Sequence, residues 1–545
     1  MWVSDPTVAK EAQRRRTFAI IAHPDAGKTT LTEKLLLYGG QLSVAGMVRG
    51  RKSNRAVTSD WMELERQRGI SITSTVLTFE YRDHRINLLD TPGHQDFSED
   101  TYRTLYAADC AVMVLDFAKG IESQTEKLFR VCALRKIPVL TFVNKVDRHG
   151  RDPFELLDEI EAKFGLTAVP FNWPIGSGRQ FRGVYDRQDQ VALLFDADCA
   201  GDQIVPFRKV ALEELTDDDA EPVLRDGLKS GLELLEGAGT SFDEAEFLAG
   251  RQTPVFFGSA LQNYGIENFL DRFLTLAPPP MSRESNIGPI PVDRPEFSGF
   301  VFKIQANLDP RHRDRVAFVR VCSGEFARDM AVTHAGTGQQ MNVRRCHRVF
   351  AAERETLDVA YPGDILGLVN PGRLQLGDTL CVGESFHYER LPQFPPEHFA
   401  VFRCVETQRR KQFAKGIQQL AEEGAVQVFY PSLRQMGEPI LAAIGELQFD
   451  VVKYRLETEY NTAVTVSRLS AAVARWIDTP PAELEKLRLD RDSQIVLDSY
   501  LQPVVLFSSE WACNYFGRQN PEITLRSVSH ASNFYETRAE MDSAK

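Results

Sequence analysis

The chain has 545 residues, of which 43% are hydrophobic and 26% charged, and its formal net charge is −12. This length is too great for a single hydrophobic core, so we expect three or four structural units. No apolar run reaches the roughly 18 residues that a membrane-spanning helix needs, and no signal-peptide pattern follows the basic N-terminus, so we expect no membrane partner. The eight cysteines are scattered, which favours reduced thiols in a cytoplasmic protein over disulfides or zinc.

The acidic excess argues against nucleic-acid binding over the whole surface, because phosphates are bound by basic side chains. Three local basic runs interrupt it, at Arg49–Arg55, Arg344–Arg348 and Arg409–Lys411. Runs of like charge are commonly solvated faces. From the composition alone, each run can be either a solvated face or a contact patch for RNA.

The first 280 residues alternate between apolar strands and helices. A short strand, Thr17–Ala22, precedes a helix, Leu31–Tyr38, that the pair Gly39-Gly40 would end. This alternation predicts a doubly wound α/β sheet with helices on both faces, and ligands of such sheets bind at the carboxyl ends of the strands. The further buried strands that the pattern predicts are Ile86–Asp90, Cys110–Asp116, Pro138–Asn144 and Val255–Ala260.

The pattern of apolar, acidic and proline residues changes three times along the sequence, and these changes predict the domain organisation. Within the first domain (1–280) the alternation weakens over about 165–250, where acidic residues accumulate, and we interpret this part as an insertion. Proline clusters then separate the later domains. Short strands with glycine turns predict an all-β barrel over 293–390. Helical spacing alternating with strands predicts an α+β third domain with a C-terminal extension over 397–545.

A loop between the first strand and helix carries the main chemical signal. A phosphate-binding loop needs inward-facing backbone N–H groups, glycine at the sharp bend and a lysine that reaches the β- and γ-phosphates. Gly27 and Lys28 meet these needs, and Thr29 would place its hydroxyl on Mg²⁺. The general pattern has glycine where this chain has alanine. The predicted phosphate-binding residues are Ala22, His23, Pro24, Asp25, Ala26, Gly27, Lys28, Thr29 and Thr30.

A second motif, Asp90-Thr91-Pro92-Gly93-His94, follows the strand INLLD. Asp90 can hold the Mg²⁺ shell through water, and the Gly93 N–H can bond the γ-phosphate. Cleavage of the nucleotide removes that bond, so the following segment can relax. His94 stands where hydrolytic switches need a group that orients the attacking water, although a lone histidine beside a loop is often only solvated.

A third motif, Asn144-Lys145-Val146-Asp147, ends the strand PVLTFVN and predicts the base. The Asp147 carboxylate can accept hydrogen bonds from guanine N1 and the 2-amino group. Adenine lacks both donors and would leave a buried charge unpaired, so we expect GTP and GDP. Asn144 would support the base edge, and the stem of Lys145 would lie along the ring. Backbone N–H groups of a later segment would complete the pocket, namely Ser259, Ala260 and Leu261.

Between the first two motifs lies RGISIT, whose Ser71 is a candidate switch residue. A switch loop needs a hydroxyl that reaches Mg²⁺ only while the γ-phosphate is present. The alternative is the start of an amphipathic strand with incidental hydroxyls.

Together these motifs resemble the translational GTPases, and AHPDAGKTT resembles the elongation factor G branch, in which alanine is usual at the Ala22 position. The stretch Thr58–Thr73 resembles the bacterial peptide chain release factor three family, in which the switch hydroxyl is likewise a serine. The resemblance continues at Ala421–Tyr430, Gly445–Asn461 and Ala474–Ile477.

The resemblance implies a three-domain monomer that acts on the bacterial 70S ribosome, including its ribosomal RNA. There it would use GTP to promote dissociation and recycling of class I release factors after peptide release. It also implies that Thr29 and Ser71 ligate Mg²⁺, and that ribosomal RNA moves His94 into place. Pro24 and Ile70 match the pair that gates this histidine, with proline where elongation factor Tu has valine.

Ribosome contact would then be confined to patches, with Arg49–Arg55 the first candidate and Arg344–Arg348 the second. No arginine finger is evident in the sequence, so we expect slow intrinsic hydrolysis that the ribosome accelerates.

Two alternatives remain. An elongation-factor-G-like translocase or ribosome-protection GTPase shares the motifs, but such chains continue for two further domains. A GTP-dependent binding switch with no ribosomal role is of a different class, and the predicted barrel and third domain argue against it.

Overall fold

The computed structural model describes residues 4–44, 47–48, 71–196, 203–306, 315–344, 346–350, 353–370, 372–389, 391, 394–431, 438–479, 484, 487–491 and 493–527. The basic run Arg49–Arg55 and the segment Thr58–Ile70 therefore lie outside the described residues. Within the described part, no helix is both long enough and apolar enough to cross a bilayer.

The first domain is built on a seven-stranded sheet. The strand Arg15–Ala22, third in the order across the sheet, is buried at every position, as expected for a strand covered by helices on both faces. All neighbouring pairs are parallel except the hairpin at one edge. The doubly wound α/β prediction is confirmed. In order across the sheet, the strands are Thr75–Tyr81, His84–Asp90, Arg15–Ala22, Cys110–Asp116, Val139–Asn144, Gln252–Phe257 and Thr167–Pro170.

Helices pack on both faces of this sheet, and their ends follow local sequence signals. Asp152 accepts a hydrogen bond from the Phe154 N–H at the start of Pro153–Phe164, and Gly165 ends that helix in the left-handed conformation. The helices of the domain are Pro6–Gln13, Lys28–Tyr38, Ser98–Ala107, Ser123–Leu134, Pro153–Phe164 and Ile266–Leu276, with a short 3₁₀ turn at Gln95–Phe97. A two-stranded pair, Leu42–Val44 and Met47–Val48, follows the second helix.

The region predicted as an insertion holds a separate antiparallel sheet of four strands. The first strand of this sheet begins at Asn172, because the preceding strand, Thr167–Pro170, pairs with Gln252–Phe257 in the main sheet. Its strands, in order, are Phe207–Ala211, Val191–Phe195, Gly183–Asp186 and Asn172–Ile175. The helices that accompany it are Pro222–Gly237 and Glu244–Leu248, with 3₁₀ turns at Gly178–Gln180 and Leu212–Glu214.

The second domain is all β, as predicted. Two nine-residue strands, Ser298–Ala306 and Arg315–Ser323, form its longest hairpin, and their apolar side chains fill the barrel core with Val332, Leu366 and Leu380. The other strands are Phe326–Ala327, Ala331–His334, Gln340–Asn342, Cys346–Phe350, Glu353–Thr356, Val359–Ala360, Ile365–Val369 and Thr379–Cys381.

The C-terminal part contains two four-stranded sheets. The first, with helices Arg410–Glu422 and Leu447–Thr458, is the predicted α+β domain, and its strands are Gln427–Phe429, Ile440–Ala443, His398–Cys404 and Val464–Arg468. The second was not visible as a pattern in the sequence. Its strands are Gln494–Leu497, Pro503–Phe507, Val473–Ile477 and Leu525–Arg526, and helix Glu510–Gln519 covers one face.

Candidate active site

A cleft of about 720 Å³ opens at the carboxyl ends of the central strands. It brings together residues from the phosphate loop, the switch segment and the motif that ends in His94, while the base motif contributes Lys145 to its lining and the segment at 259–261 contributes none. The predicted residues that line it are His23, Pro24, Asp25, Gly27, Lys28, Thr29, Thr30, Ser71, Gly93, His94 and Lys145. Five further residues that sequence reasoning missed also line it, namely Asp116, Ala118, Lys119, Arg148 and His149.

The loop before helix Lys28–Tyr38 is curled by two residues in the left-handed conformation, Asp25 (φ 68°) and Gly27 (φ 95°). A side chain at Gly27 would overlap the Asn144 amide nitrogen, so glycine is required there for steric as well as conformational reasons. That amide donates to the Ala26 carbonyl over 2.9 Å. The curl leaves the helix N-terminus, with its partial positive charge, at the wall of the cleft, which suits an anion.

Lys28 adds a full positive charge at this helix N-terminus. Its Nζ lies 2.6 Å from Asp90 Oδ1, and both side chains are buried. Asp90 also accepts a hydrogen bond of 3.4 Å from the Thr32 hydroxyl. The carboxylate therefore holds the lysine at the base of the cleft, where an entering phosphate would compete for the ammonium group.

The segment after Asp90 is anchored to the sheet. The hydroxyl of the fully buried Thr91 donates to the Ile20 carbonyl over 2.5 Å. The Pro92 carbonyl accepts a hydrogen bond of 3.2 Å from the Thr101 hydroxyl. Gly93, at the cleft wall, therefore follows a fixed stretch of backbone.

His94 begins the 3₁₀ turn Gln95–Phe97. Its Nδ1 accepts the Asp96 N–H over 3.2 Å and lies 3.3 Å from Asp96 Oδ1. The imidazole is 30% exposed, so it is neither a core side chain nor a freely solvated one. Ser71 also lines the cleft and is nearly buried, while Ile70 lies outside the described residues.

Asn144 ties the base end of the cleft together. Besides its bond to the phosphate loop, its Oδ1 accepts the N–H groups of Lys145 and Ala260, each over 2.9 Å. Val146, Ser259 and Ala260 are buried. Leu261 is 54% exposed. One side chain thus joins the phosphate loop to the two segments that the sequence assigned to the base.

Asp147 has a buried oxygen whose hydrogen-bonding capacity is unmet. This atom, Oδ1, accepts no hydrogen bond from any described residue. A buried carboxylate oxygen without a partner is unfavourable, and native structures rarely leave one. A ligand that presents two adjacent N–H donors, as guanine does, would satisfy it.

Asp116 is a site residue that sequence reasoning missed. Its carboxylate lies 2.8 Å from Lys145 Nζ, and the same ammonium group donates to the Asp25 carbonyl. Burial would raise the pKa of Asp116, but hydrogen bonds from Lys145 and from the backbone of Ala118 and Lys119 outweigh it and lower the pKa. Its position as a charged residue that ends a buried strand could have identified it.

Within the described residues, no group of three or more His, Cys, Asp or Glu side chains could hold a metal ion. The oxygen donors near the cleft are instead single groups on separate elements, namely Thr29 in the helix Lys28–Tyr38, Ser71 before the strand Thr75–Tyr81, and Asp90 at the end of the strand His84–Asp90. Such a set fits a Mg²⁺ ion that is held mainly by phosphate oxygens and water.

Three family models match consecutive parts of the chain. The elongation factor Tu GTP-binding domain matches residues 13–279, elongation factor G domain 2 matches residues 296–383, and the C-terminal domain of class II release factor RF3 matches residues 388–517. A solved crystal structure of a Thermus thermophilus protein superposes with a TM-score of 0.67 at 22% identity, covering 86% of this chain and 71% of that one. At this identity it supports the fold alone.

Curated relatives match over almost the whole length. A peptide chain release factor 3 from Gloeobacter violaceus is 52% identical over 532 residues, which are 97% of this chain and 100% of the relative. The peptide chain release factor 3 of Synechococcus elongatus is 53% identical over 527 residues, which are 96% of this chain and 94% of the relative.

The sheet, the phosphate loop and the matching GTP-binding domain define a translational GTPase, which binds GTP and GDP. The matches to elongation factor G domain 2 and to the C-terminal domain of class II release factor RF3 narrow the class of translational GTPase further. The chain belongs to the peptide chain release factor 3 family, and it is a GTPase of translation termination.

Proposed function

We propose that this GTPase promotes the dissociation and recycling of class I release factors from the bacterial 70S ribosome after peptide release. It would act in the cytoplasm as a monomer, with a GTP-binding domain at 1–280, a barrel at 293–390 and an α+β domain at 397–545. Family membership supports this proposal. The observation that carries its nucleotide chemistry is the buried, unpartnered oxygen of Asp147.

Within the cleft, the loop Ala22–Thr30 and the Gly93 N–H bind the phosphates, and Asp147 recognises guanine with support from Asn144. The Thr29 and Ser71 hydroxyls and the Asp90 carboxylate are the groups that would hold a Mg²⁺ ion, which would supply neutralisation of the phosphate charge. The curled loop and the buried Lys28 support this assignment, since both present positive charge to one wall of the cleft.

The role of Asp147 is tested by replacing one of its hydrogen-bond acceptors with a donor. In Asp147→Asn one acceptor oxygen becomes an NH₂ donor, which opposes the guanine 2-amino group but fits the 2-oxo group of xanthine. We expect GTP affinity to fall roughly 100-fold, as for losing hydrogen bonds to a charged group, and xanthosine triphosphate affinity to rise. A variant that keeps wild-type GTP affinity would remove Asp147 from the base pocket.

His94 orients the attacking water. In His94→Ala we expect the ribosome-stimulated rate to fall by about 10²–10⁴-fold, as for loss of a proton-transfer group, with GTP affinity unchanged. Arg148 lines the cleft but directly follows Asp147, which places it at the base end. Arg148→Ala should therefore leave the rate intact, and a comparable loss in that variant would identify an arginine supplied by the chain.

The full proposal is tested on ribosomes. Post-release 70S complexes carrying a labelled class I release factor are mixed with the protein and GTP, and departure of the label is followed. We expect fast departure with wild type and slow departure with His94→Ala. Movement of transfer RNA instead would indicate a translocase, and GTP turnover unaffected by ribosomes would indicate a switch with no ribosomal role.

A further inference from the structure

One carboxylate connects the histidine turn to the C-terminal part of the chain. Asp96 Oδ1 lies 3.3 Å from His94 Nδ1. Its other oxygen, Oδ2, accepts the Leu447 N–H over 2.9 Å. Asp96 is largely buried. Asp96 of the first domain therefore holds the cleft histidine through its backbone N–H, which donates to His94 Nδ1 over 3.2 Å, and holds the first residue of a helix in the third domain through its carboxylate.

That helix, Leu447–Thr458, has no cap from its own sequence. The residue at its N-cap position, Glu446, makes no side-chain cap hydrogen bond. Helix N-termini leave backbone N–H groups without partners, and a carboxylate is the favoured group to satisfy them. Asp96 does this from a distant part of the chain.

Gly445 makes the close approach possible. A methyl group there would overlap the Asp96 carboxylate and lie 2.6 Å from its Cα. The glycine is not in the left-handed conformation, so alanine would bring no backbone strain of its own. A substitution at Gly445 therefore acts on the fit to Asp96 specifically.

An apolar cluster beneath the hydrogen bond fixes the same elements. Phe97, from the His94 turn, packs with Ile72, which directly follows Ser71, and with Val451 on the helix. Leu447 and Tyr454 pack against this cluster. Since side chains of both cleft segments contact the helix, a shift of the helix must shift the turn that carries His94.

We propose that Asp96 is a positioning residue for GTP hydrolysis, which orients His94 only while the helix Leu447–Thr458 is docked against it. The third domain thereby controls the histidine through one residue, whose carboxylate binds the helix and whose backbone N–H binds the imidazole. This inference rests on the proposed role of His94 in orienting water. Asp96 itself touches neither nucleotide nor water in this role, and it acts through the imidazole, as outer groups do for metal-ligating histidines.

The test compares ribosome-stimulated hydrolysis in two variants, Gly445→Ala and Asp96→Ala. We expect kcat to fall about 10- to 100-fold in each, because small displacements of a catalytic group have effects of this size. GTP affinity and the half-saturating ribosome concentration should stay at wild-type values. Asp96→Asn should restore part of kcat, because its amide oxygen can still accept the Leu447 N–H.

A matched control is Gly227→Ala, on a helix of the insertion where a methyl group meets nothing within 4 Å. It should behave as wild type. Thermal unfolding of every variant checks that the fold is retained. The double variant His94→Ala/Gly445→Ala should be no slower than His94→Ala, because the two changes act on one group.

Wild-type kcat in both Gly445→Ala and Asp96→Ala would overturn the inference. If His94→Ala were defective in the same experiment, the proposed function would still stand. Additive losses in the double variant would also overturn it, since they would show that the contact acts independently of the histidine. A fully active His94→Ala would refute the role of the histidine, and the inference with it.

Discussion

Within the described part of the chain, the first domain contacts both the barrel and the third domain, and these two contacts differ in chemistry. The barrel is held through buried charge, since Arg320 lies 2.5 Å from Asp109 and both are nearly inaccessible. The Gly363 carbonyl there accepts hydrogen bonds from Arg320, Thr17 and Asn87. The third domain is held next to the cleft by hydrogen bonds, such as that from the Leu447 N–H to Asp96, and by the small apolar cluster of Ile72, Phe97 and Val451.

The difference separates a fixed contact from a releasable one. Breaking a buried ion pair by losing one partner costs about 3–5 kcal/mol, whereas an ordinary hydrogen bond contributes about 1 kcal/mol. The barrel should therefore move with the first domain as one body. The third domain meets the His94 turn through weaker bonds, where release would alter the site.

The largest expected effect comes from breaking the barrel contact. Arg320→Ala would leave the Asp109 carboxylate buried without its charged partner, so we expect a loss of about 3–5 kcal/mol in the free energy of unfolding. Chemical denaturation measures this loss of free energy at the first unfolding transition. The control Arg328→Ala removes a half-exposed ion pair with Asp358 and should cost less than about 1 kcal/mol. Equal losses in both would show that the Arg320 pair is not the anchor.

Two glycines, one at each contact, test how rigid the barrel contact is compared with the third-domain contact. Gly363 has a φ of 104°, and a methyl group there would lie 2.8 Å from Pro280 Cγ and 2.9 Å from Arg15 Cβ. Both atoms belong to fixed parts of the structure. Gly363→Ala should therefore cost about 2–3 kcal/mol, of which about 1–2 is the left-handed backbone. Thermal denaturation tests this, and an unchanged midpoint would show that the barrel contact yields easily.

Gly424, at the third-domain contact, also has a positive φ, of 74°. A methyl group there would meet the Arg103 guanidinium, which is the movable end of a flexible side chain. We expect Gly424→Ala to cost only the backbone strain of about 1–2 kcal/mol. Arg103 should release the Gly424 carbonyl, so hydrogen exchange at the Leu447 amide should rise. Unchanged exchange there would show that this contact is as rigid as the barrel contact.

The sequence predicted the site better than the contacts between domains. Lys28, His94 and Lys145 were identified because each follows a buried strand within a motif of fixed spacing, and all line one cleft. Asp96 and Leu447 could not be paired in the same way, since 351 positions separate them and no local pattern encodes a cap supplied by another domain.

The same limit explains why the second C-terminal sheet was not predicted from the sequence. Its strands have only two to five residues, too short for a clear alternation of apolar and polar positions. They are stabilised by the apolar cluster that includes Val473, Val505 and Phe516. Such a cluster forms only in three dimensions, so the predicted fold class was confirmed while this sheet was missed.

The smallest expected effect concerns pH at the barrel contact. Arg15 bonds Asp364 and also Glu11, and its hydrogen bond to Glu11 is the main cause that lowers the pKa of Glu11, against the opposing effect of burial. A lowered pKa means that ionised Glu11 stabilises the fold above its ordinary range. This contribution is lost as pH falls through that range toward the lowered value. We expect Glu11→Gln to lower the free energy of unfolding at neutral pH by less than about 1 kcal/mol, and the gap from wild type to close as the pH falls below about 4. Glu233→Gln, at an exposed glutamate of the insertion, should show no such gap. The absence of a gap between Glu11→Gln and wild type at neutral pH would mean that Arg15 is held by Asp364 alone and that Glu11 adds nothing to the fixed contact.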